Sequence, residues 1–197
     1  MKMAYAGYEF YTKKKDNSFG AEATAYAKKA LNLLEAGKIP EKFEPFTDRA
    51  EAEAMMYYII GAFTVENDLK TAAENFYKAV RFESKIKTGS YPYYIIAFYY
   101  EKSYETAAKE FETKHGEKDF EDEEFKDDLK KLERIADRMI DAYARAVKYA
   151  EAENNLDGEE WKRRLAEIYK FRNETDFDLN EILTQITKTT LENPAEL

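Results

Sequence analysis

Tyr58-Ile-Ile-Gly-Ala-Phe-Thr-Val-Glu-Asn-Asp-Leu-Lys-Thr-Ala-Ala-Glu-Asn-Phe76 is answered, 35 residues further on, by Tyr93-Tyr-Ile-Ile-Ala-Phe-Tyr-Tyr-Glu-Lys-Ser-Tyr-Glu-Thr-Ala-Ala-Lys-Glu-Phe111. Nine of the nineteen positions are identical, among them Phe63 and Phe98, Ala72 and Ala107, and Phe76 and Phe111. A fixed internal period of this size marks a repeat architecture. Within each copy the bulky apolar residues fall three or four apart on either side of a break, at Asn67-Asp68 and at Lys102-Ser103. Each copy is therefore predicted to be two amphipathic helices. Asp68 and Ser103 each bring a side-chain oxygen able to cap the second helix. Ala72 and Ala107 stand where the helices of a pair approach closely, with the phenylalanines filling the space around them.

Looser copies flank this pair. Gly7 and Phe10, followed by Ala23, Ala27 and Ala30, repeat the arrangement with a longer turn, and the second helix should stop at Gly37, a residue suited to a left-handed C-terminal cap. Pro40 and Pro45 make 38–46 a linker, and Thr47 is the expected cap of the next helix. Downstream, Leu129, Leu132, Ala136, Met139, Tyr143, Ala146 and Ala150 keep helical spacing over some six turns, which predicts one long helix. Asp157 with Glu160, then Asp178 with Glu181, open a last pair. The predicted fold is all-α, one array over 1–197 with hairpins at about 3–37, 47–83 and 89–115, a long helix over 123–154 and a final pair over 158–192, about nine helices in all.

Met56, Ile59, Ile60, Phe63, Leu69, Ala72, Phe76 and Ala79 in the first copy, and Tyr91, Tyr94, Ile95, Phe98, Tyr104, Ala107, Phe111 and Lys114 in the second, carry a pattern that resembles the tetratricopeptide repeat. Ile60, Ile95 and Lys114 depart from that family's small residues. Tyr26-Ala-Lys-Lys-Ala-Leu31, Asp137-Arg-Met-Ile-Asp-Ala-Tyr-Ala-Arg-Ala-Val147 and Tyr169-Lys-Phe-Arg-Asn173 are similar to stretches in bacterial members of the family. The resemblance implies antiparallel helix hairpins stacked as a superhelical solenoid, and it implies no activity. It places Tyr57, Thr64, Val65, Ile96, Tyr99 and Tyr100 on the face that lines the concave groove. Members that grip a peptide's terminal carboxylate use Lys, Asn and Arg there, where this chain has Tyr57, Gly61, Pro92 and Ile96. An apolar or tyrosine-mediated protein contact is the expectation instead.

Composition agrees with helices. Seven glycines and four prolines in 197 residues are too few for the turns of a sandwich or barrel. A net charge of -9 opposes binding to nucleic acid and to anionic lipid. No apolar run reaches the 18 residues or so of a membrane span, and no signal peptide is visible, which makes the cytoplasm the default compartment and the extracellular space the alternative for a processed or truncated chain. Without cysteine and with a single histidine, thiolate and multi-histidine metal sites are absent, and no cofactor is expected.

The chemistry-bearing candidates are few. His115 lies at the end of a predicted helix, where it would meet free carbonyls and the dipole. The acidic run 117–128 has no central glycine for a calcium loop and reads as a loop leading into an acidic first turn. Sixteen tyrosines are the one unusual abundance. The first helix starts with Tyr5, Tyr8 and Phe10 and no polar cap ahead of them, whereas solenoid ends are normally polar. These three, with Trp161 in the last pair, are the candidate self-association surface. The expected role is a non-enzymatic scaffold acting through protein contacts, including head-to-tail contact with copies of itself. A subunit of a homopolymeric filament or tube is the alternative, and a carboxylate-based hydrolase is the third option.

Overall fold

A computed structural model describes residues 1–116, 123–173, 175, 178–186 and 188–197. Among them the regular structure is entirely helical. Eight α-helices follow one another: α1 (Lys2–Lys14), α2 (Gly20–Glu35), α3 (Arg49–Thr64), α4 (Leu69–Val80), α5 (Ser90–His115), α6 (Glu123–Glu153), α7 (Gly158–Asn173) and α8 (Leu179–Ile186), with short 3-10 turns at Lys85–Thr88 and Pro194–Glu196. The chain forms two compact units, Met1–Ile95 and Ile96–Leu197.

In the first unit α1 packs on α2, α2 on α3 and α3 on α4. Small residues set the first contact: Ala4, Ala23 and Ala27 are buried, and a Cβ added to Gly7 would lie 2.9 Å from that of Ala23. Gly37 takes the left-handed conformation expected of it, with φ 75°. The helix after the linker is capped by Asp48, whose carboxylate accepts from the Glu51 N–H at 2.9 Å. Thr47 sits one residue earlier than a cap, and its N–H and hydroxyl both donate to the Glu51 carboxylate. The linker contains a cis Glu44–Pro45 bond.

The first copy of the repeat is a hairpin, as expected. Asp68 accepts from the Thr71 N–H at 2.9 Å and from its hydroxyl, starting α4, and Ala72 and Phe76 are fully buried. The second copy is not a hairpin. α5 runs through Lys102-Ser103 as one helix of 26 residues, which corrects the expected pair at 89–115 and leaves eight α-helices among the described residues rather than about nine. Two substitutions explain the difference. Ser103 replaces the capping carboxylate, and its hydroxyl turns back to donate to the Tyr99 carbonyl at 2.9 Å, a bond compatible with an uninterrupted helix. Ile96 replaces Gly61, the residue on which the Phe76 ring rests, with ring carbons 3.1 Å from where a Cβ would stand. Phe111 therefore has no equivalent seat, and its ring packs instead against His115 and Phe125 at 4.8 and 5.0 Å. Phe63, Phe98, Phe111 and Ala107 are only half-buried, so the four phenylalanines are not equivalent in burial.

The second unit is built on the expected long helix, α6. Its alanine stripe, Ala136, Ala142, Ala146 and Ala150, is buried, and Gly158 lets α7 begin against Ala150, where a Cβ would come within 2.9 Å. Asp178 caps α8, accepting from the Asn180 and Glu181 N–H groups. The last helix ends at Ile186 rather than near 191, and an irregular segment with Leu191 and Pro194 buried follows.

Candidate functional site

Tyr5 and Tyr8 are half-buried. Tyr5 meets Phe46 edge-on at 5.3 Å, and Tyr8 meets Tyr58 and Phe63 at 5.6 and 6.4 Å. Burial raises the Tyr8 phenol pKa. Trp161 is buried. Trp161 is corrected from association surface to core, while Tyr5 and Tyr8 pack half-buried against the core of their own unit. Phe10 is half-buried, like the two tyrosines. It meets Phe19 edge-on at 5.1 Å and lines a shallow cleft of about 240 Å³ on the outer side of α1 and α2, with Met3, Ala6, Gly7, Ala23 and Tyr26. Met3, Phe19 and Tyr26 are 62, 49 and 43% exposed. Gly7 and the alanines make the groove, since they let two helices approach without side chains to fill the seam.

The expected groove residues divide. In the first unit Tyr57, Thr64 and Val65 are half-buried. Tyr57 stacks on Phe82 at 6.0 Å with the Lys78 ammonium 5.6 Å from its ring centre, and the Thr64 hydroxyl donates to the Ile60 carbonyl at 2.8 Å. In the second unit Tyr99 is half-buried, whereas Ile96 and Tyr100 are fully buried. Ile96 and Tyr100 are corrected accordingly: they cannot line an open surface. Burial raises the Tyr100 pKa, and its hydroxyl donates to the Glu192 carbonyl at 3.1 Å.

Charged side chains of the second unit are tied to one another. Glu101 accepts from the Tyr143 hydroxyl at 2.6 Å and from Arg164 at 2.7 Å, joining α5, α6 and α7. A cleft of about 350 Å³ between α6, α7 and α8 is lined by Asp137, Asp141, Tyr169 and Gln185. Both carboxylates there are already paired, Asp137 with Arg172 at 2.9 Å and Asp141 with Arg145 at 3.0 Å. His115 closes α5 as expected but turns from the carbonyls to a side chain. It is buried between Phe111 and Phe125, with Nε2 3.0 Å from the Asp128 carboxylate. Lys114, Lys131 and His115 together hold Asp128 well below the usual carboxylate range. Of the acidic run, 117–122 lie outside the described residues, and Glu123 and Glu124 form the acidic first turn of α6. Among the described residues no three His, Asp or Glu side chains gather in a way that could hold a metal ion, and no helix is long and apolar enough to cross a membrane.

Two sets of residues went unread in the sequence. Met3, Phe19 and Tyr26 fall outside the core stripe of their helices, and the phase of the alanines on α2 is the signal that would have placed Tyr26 outside. Arg138 is a charged residue at a buried position of α6, and its partner Glu192 is 54 residues away, beyond any local pattern. The units also differ in charge, with 14 basic and 13 acidic residues over Met1–Ile95 against 17 and 27 over Ile96–Leu197. A scan against protein-family models finds no match to this chain, and neither do searches of the curated proteins and of the solved structures.

Proposed function

We propose that this chain is a non-enzymatic helical scaffold that works through protein contacts, including head-to-tail contact with further copies of itself. The observation that carries this reading is the apolar cleft of the first hairpin, where Met3, Phe19 and Tyr26 leave much of their surface in water around a seam of glycine and alanine. Apolar patches with open seams are what association buries. The occupant we assign is the second unit of another copy. That unit carries ten more acidic than basic residues against one more basic than acidic in the first, and it exposes Leu156 and Phe171 at 93 and 71%. Glu22 is the charged residue lining the cleft, so the contact assigned there is apolar. The same reading takes α1–α2 and α3–α4 as tetratricopeptide-like hairpins of a solenoid, supported by the Gly61–Phe76 and Gly7–Ala23 approaches, with α5 as the departure. A head-to-tail contact that repeats without closing produces the filament form.

Sedimentation velocity and negative-stain imaging test this. Wild-type protein should form concentration-dependent assemblies, and Phe19→Glu, which places a charge on the cleft rim, should return them to monomers with an unchanged circular dichroism spectrum. A wild-type chain that stays monomeric at high concentration overturns self-association.

A further inference from the structure

The segment after α8 is held by side chains from two helices, α5 and α6. Arg138 on α6 is 7% exposed and donates from Nε to the Glu192 carboxylate at 2.5 Å. Tyr100 on α5 donates to the carbonyl of the same residue. Arg145 donates to the carbonyls of Ile186 and Thr189 at 3.0 and 2.9 Å. Leu191 and Pro194 are buried on either side, while the Glu192 side chain keeps 56% of its surface in water. Backbone carbonyls, one carboxylate and two apolar side chains are thus read from a segment that has almost no regular structure of its own.

The fit is incomplete. Nη1 of Arg138 is buried and has no hydrogen-bond partner among the described residues. A buried guanidinium is a costly group to leave part-satisfied, and a planar fork is best met by a carboxylate engaging it with both oxygens. Here a single oxygen of Glu192 meets both Nε and Nη2. Glu192 thus meets two of the guanidinium nitrogens through one oxygen and leaves Nη1 unmet.

We propose that the α5–α6 face carrying Tyr100, Arg138 and Arg145 is a recognition site for an extended protein segment in which an apolar residue is followed directly by a carboxylate, and that Leu191-Glu192-Asn193-Pro194 fills it in cis until a partner segment displaces it. This rests on the reading that the protein works through protein contacts, and it names a second surface and its ligand class. The chemistry of the partner follows from the cis occupant: the apolar side chain takes the Leu191 position, the acid meets Arg138, and the main chain accepts from Tyr100 and Arg145. A site filled in cis binds with an affinity reduced by the fraction of time it is open. Loosening the cis segment therefore strengthens binding in trans.

The test uses the full chain and a fluorescein-labelled peptide, Lys-Thr-Thr-Leu-Glu-Asn-Pro-Ala-Glu-Leu, read by fluorescence anisotropy. Glu192→Gln weakens the cis hold at a side chain that is more than half exposed. Glu192→Gln protein should bind this peptide about tenfold more tightly than wild type, and a peptide with Gln in place of its first Glu should bind that protein about tenfold more weakly, the range set by one charge-assisted hydrogen bond. Absence of binding, or equal binding of the two peptides, overturns the proposal. If circular dichroism shows Glu192→Gln to be unfolded, the peptide pair is compared on wild-type protein at higher concentration, where the same tenfold preference is required. Failure here leaves the Phe19 cleft and its assemblies untouched, and a monomeric wild type leaves the peptide preference untouched, so the two readings fall separately.

Discussion

Gly61 lies under the ring of Phe76, with three ring carbons within 3.2 Å of where a Cβ would project. This approach lets α4 fold back on α3. Alanine at 61 gains the helix propensity that glycine lacks, about 0.5–1 kcal/mol, and loses a comparable amount to the ring. Gly61→Ala should therefore sit near wild type in urea unfolding. Gly61→Ile, which copies position 96 of the second repeat, should cost about 1–3 kcal/mol by overpacking, and Phe76→Ala about 3–5 kcal/mol by loss of burial and an unfilled cavity. An isoleucine variant as stable as wild type would show that ring contact does not hold the hairpin.

The capping residues of the two repeats should respond oppositely. Asp68→Ala removes the acceptor for two Thr71 donors and should cost about 0.5–2 kcal/mol. Ser103→Ala deletes a hydroxyl that only bonds back to the Tyr99 carbonyl within α5, and alanine is the better helix former, so stability should stay level or rise slightly. Chemical denaturation of both variants under one condition decides this. A loss at Ser103 equal to that at Asp68 would mean that α5 breaks there.

Acid should loosen the corner where α5 meets α6. Lys114, Lys131 and His115 bond the Asp128 carboxylate and depress its pKa. A group depressed in the folded state contributes stability above its unfolded value, about pH 4, and loses it as pH falls through the folded one. Stability should thus decline below about pH 4, and Asp128→Asn should be less stable at neutral pH with a flatter acid limb. Thermal melts from pH 7 to pH 2 measure this, and parallel acid limbs would rule Asp128 out.

Alkali should act through the tyrosines. Burial raises the phenol pKa of Tyr8, Tyr57 and Tyr91 in the first unit and of Tyr100 and Tyr104 in the second. A raised pKa contributes stability that is complete below the unfolded value, about pH 10, and is lost as pH climbs through the folded one. Absorbance at the phenolate band should show a group of tyrosines ionising late and together with unfolding. Simple titration of all the tyrosines near their unperturbed value, with the circular dichroism unchanged, would contradict this.

The all-helical class, the hairpins at α1–α2 and α3–α4, the long α6 and the acid caps at Asp68 and Asp178 were legible in the sequence because each depends on residues within a turn or two of one another. Spacing of three and four, a carboxylate three residues before an N–H, and a glycine after the last apolar position act locally, and the chain states them directly. Identity at nine positions leaves the outcome to two of the others, 61 against 96 and 68 against 103. A hairpin needs both a cap and a seat for the ring. The side of the helix on which Tyr8, Tyr100 and Trp161 finish was also a tertiary matter, since an amphipathic tyrosine suits a core edge and a surface equally until its neighbours are placed. The same holds for Arg138 and Glu192. Nothing in the residues around either one indicates the other, and only the path of the chain after α8 brings that carboxylate to a guanidinium buried in α6.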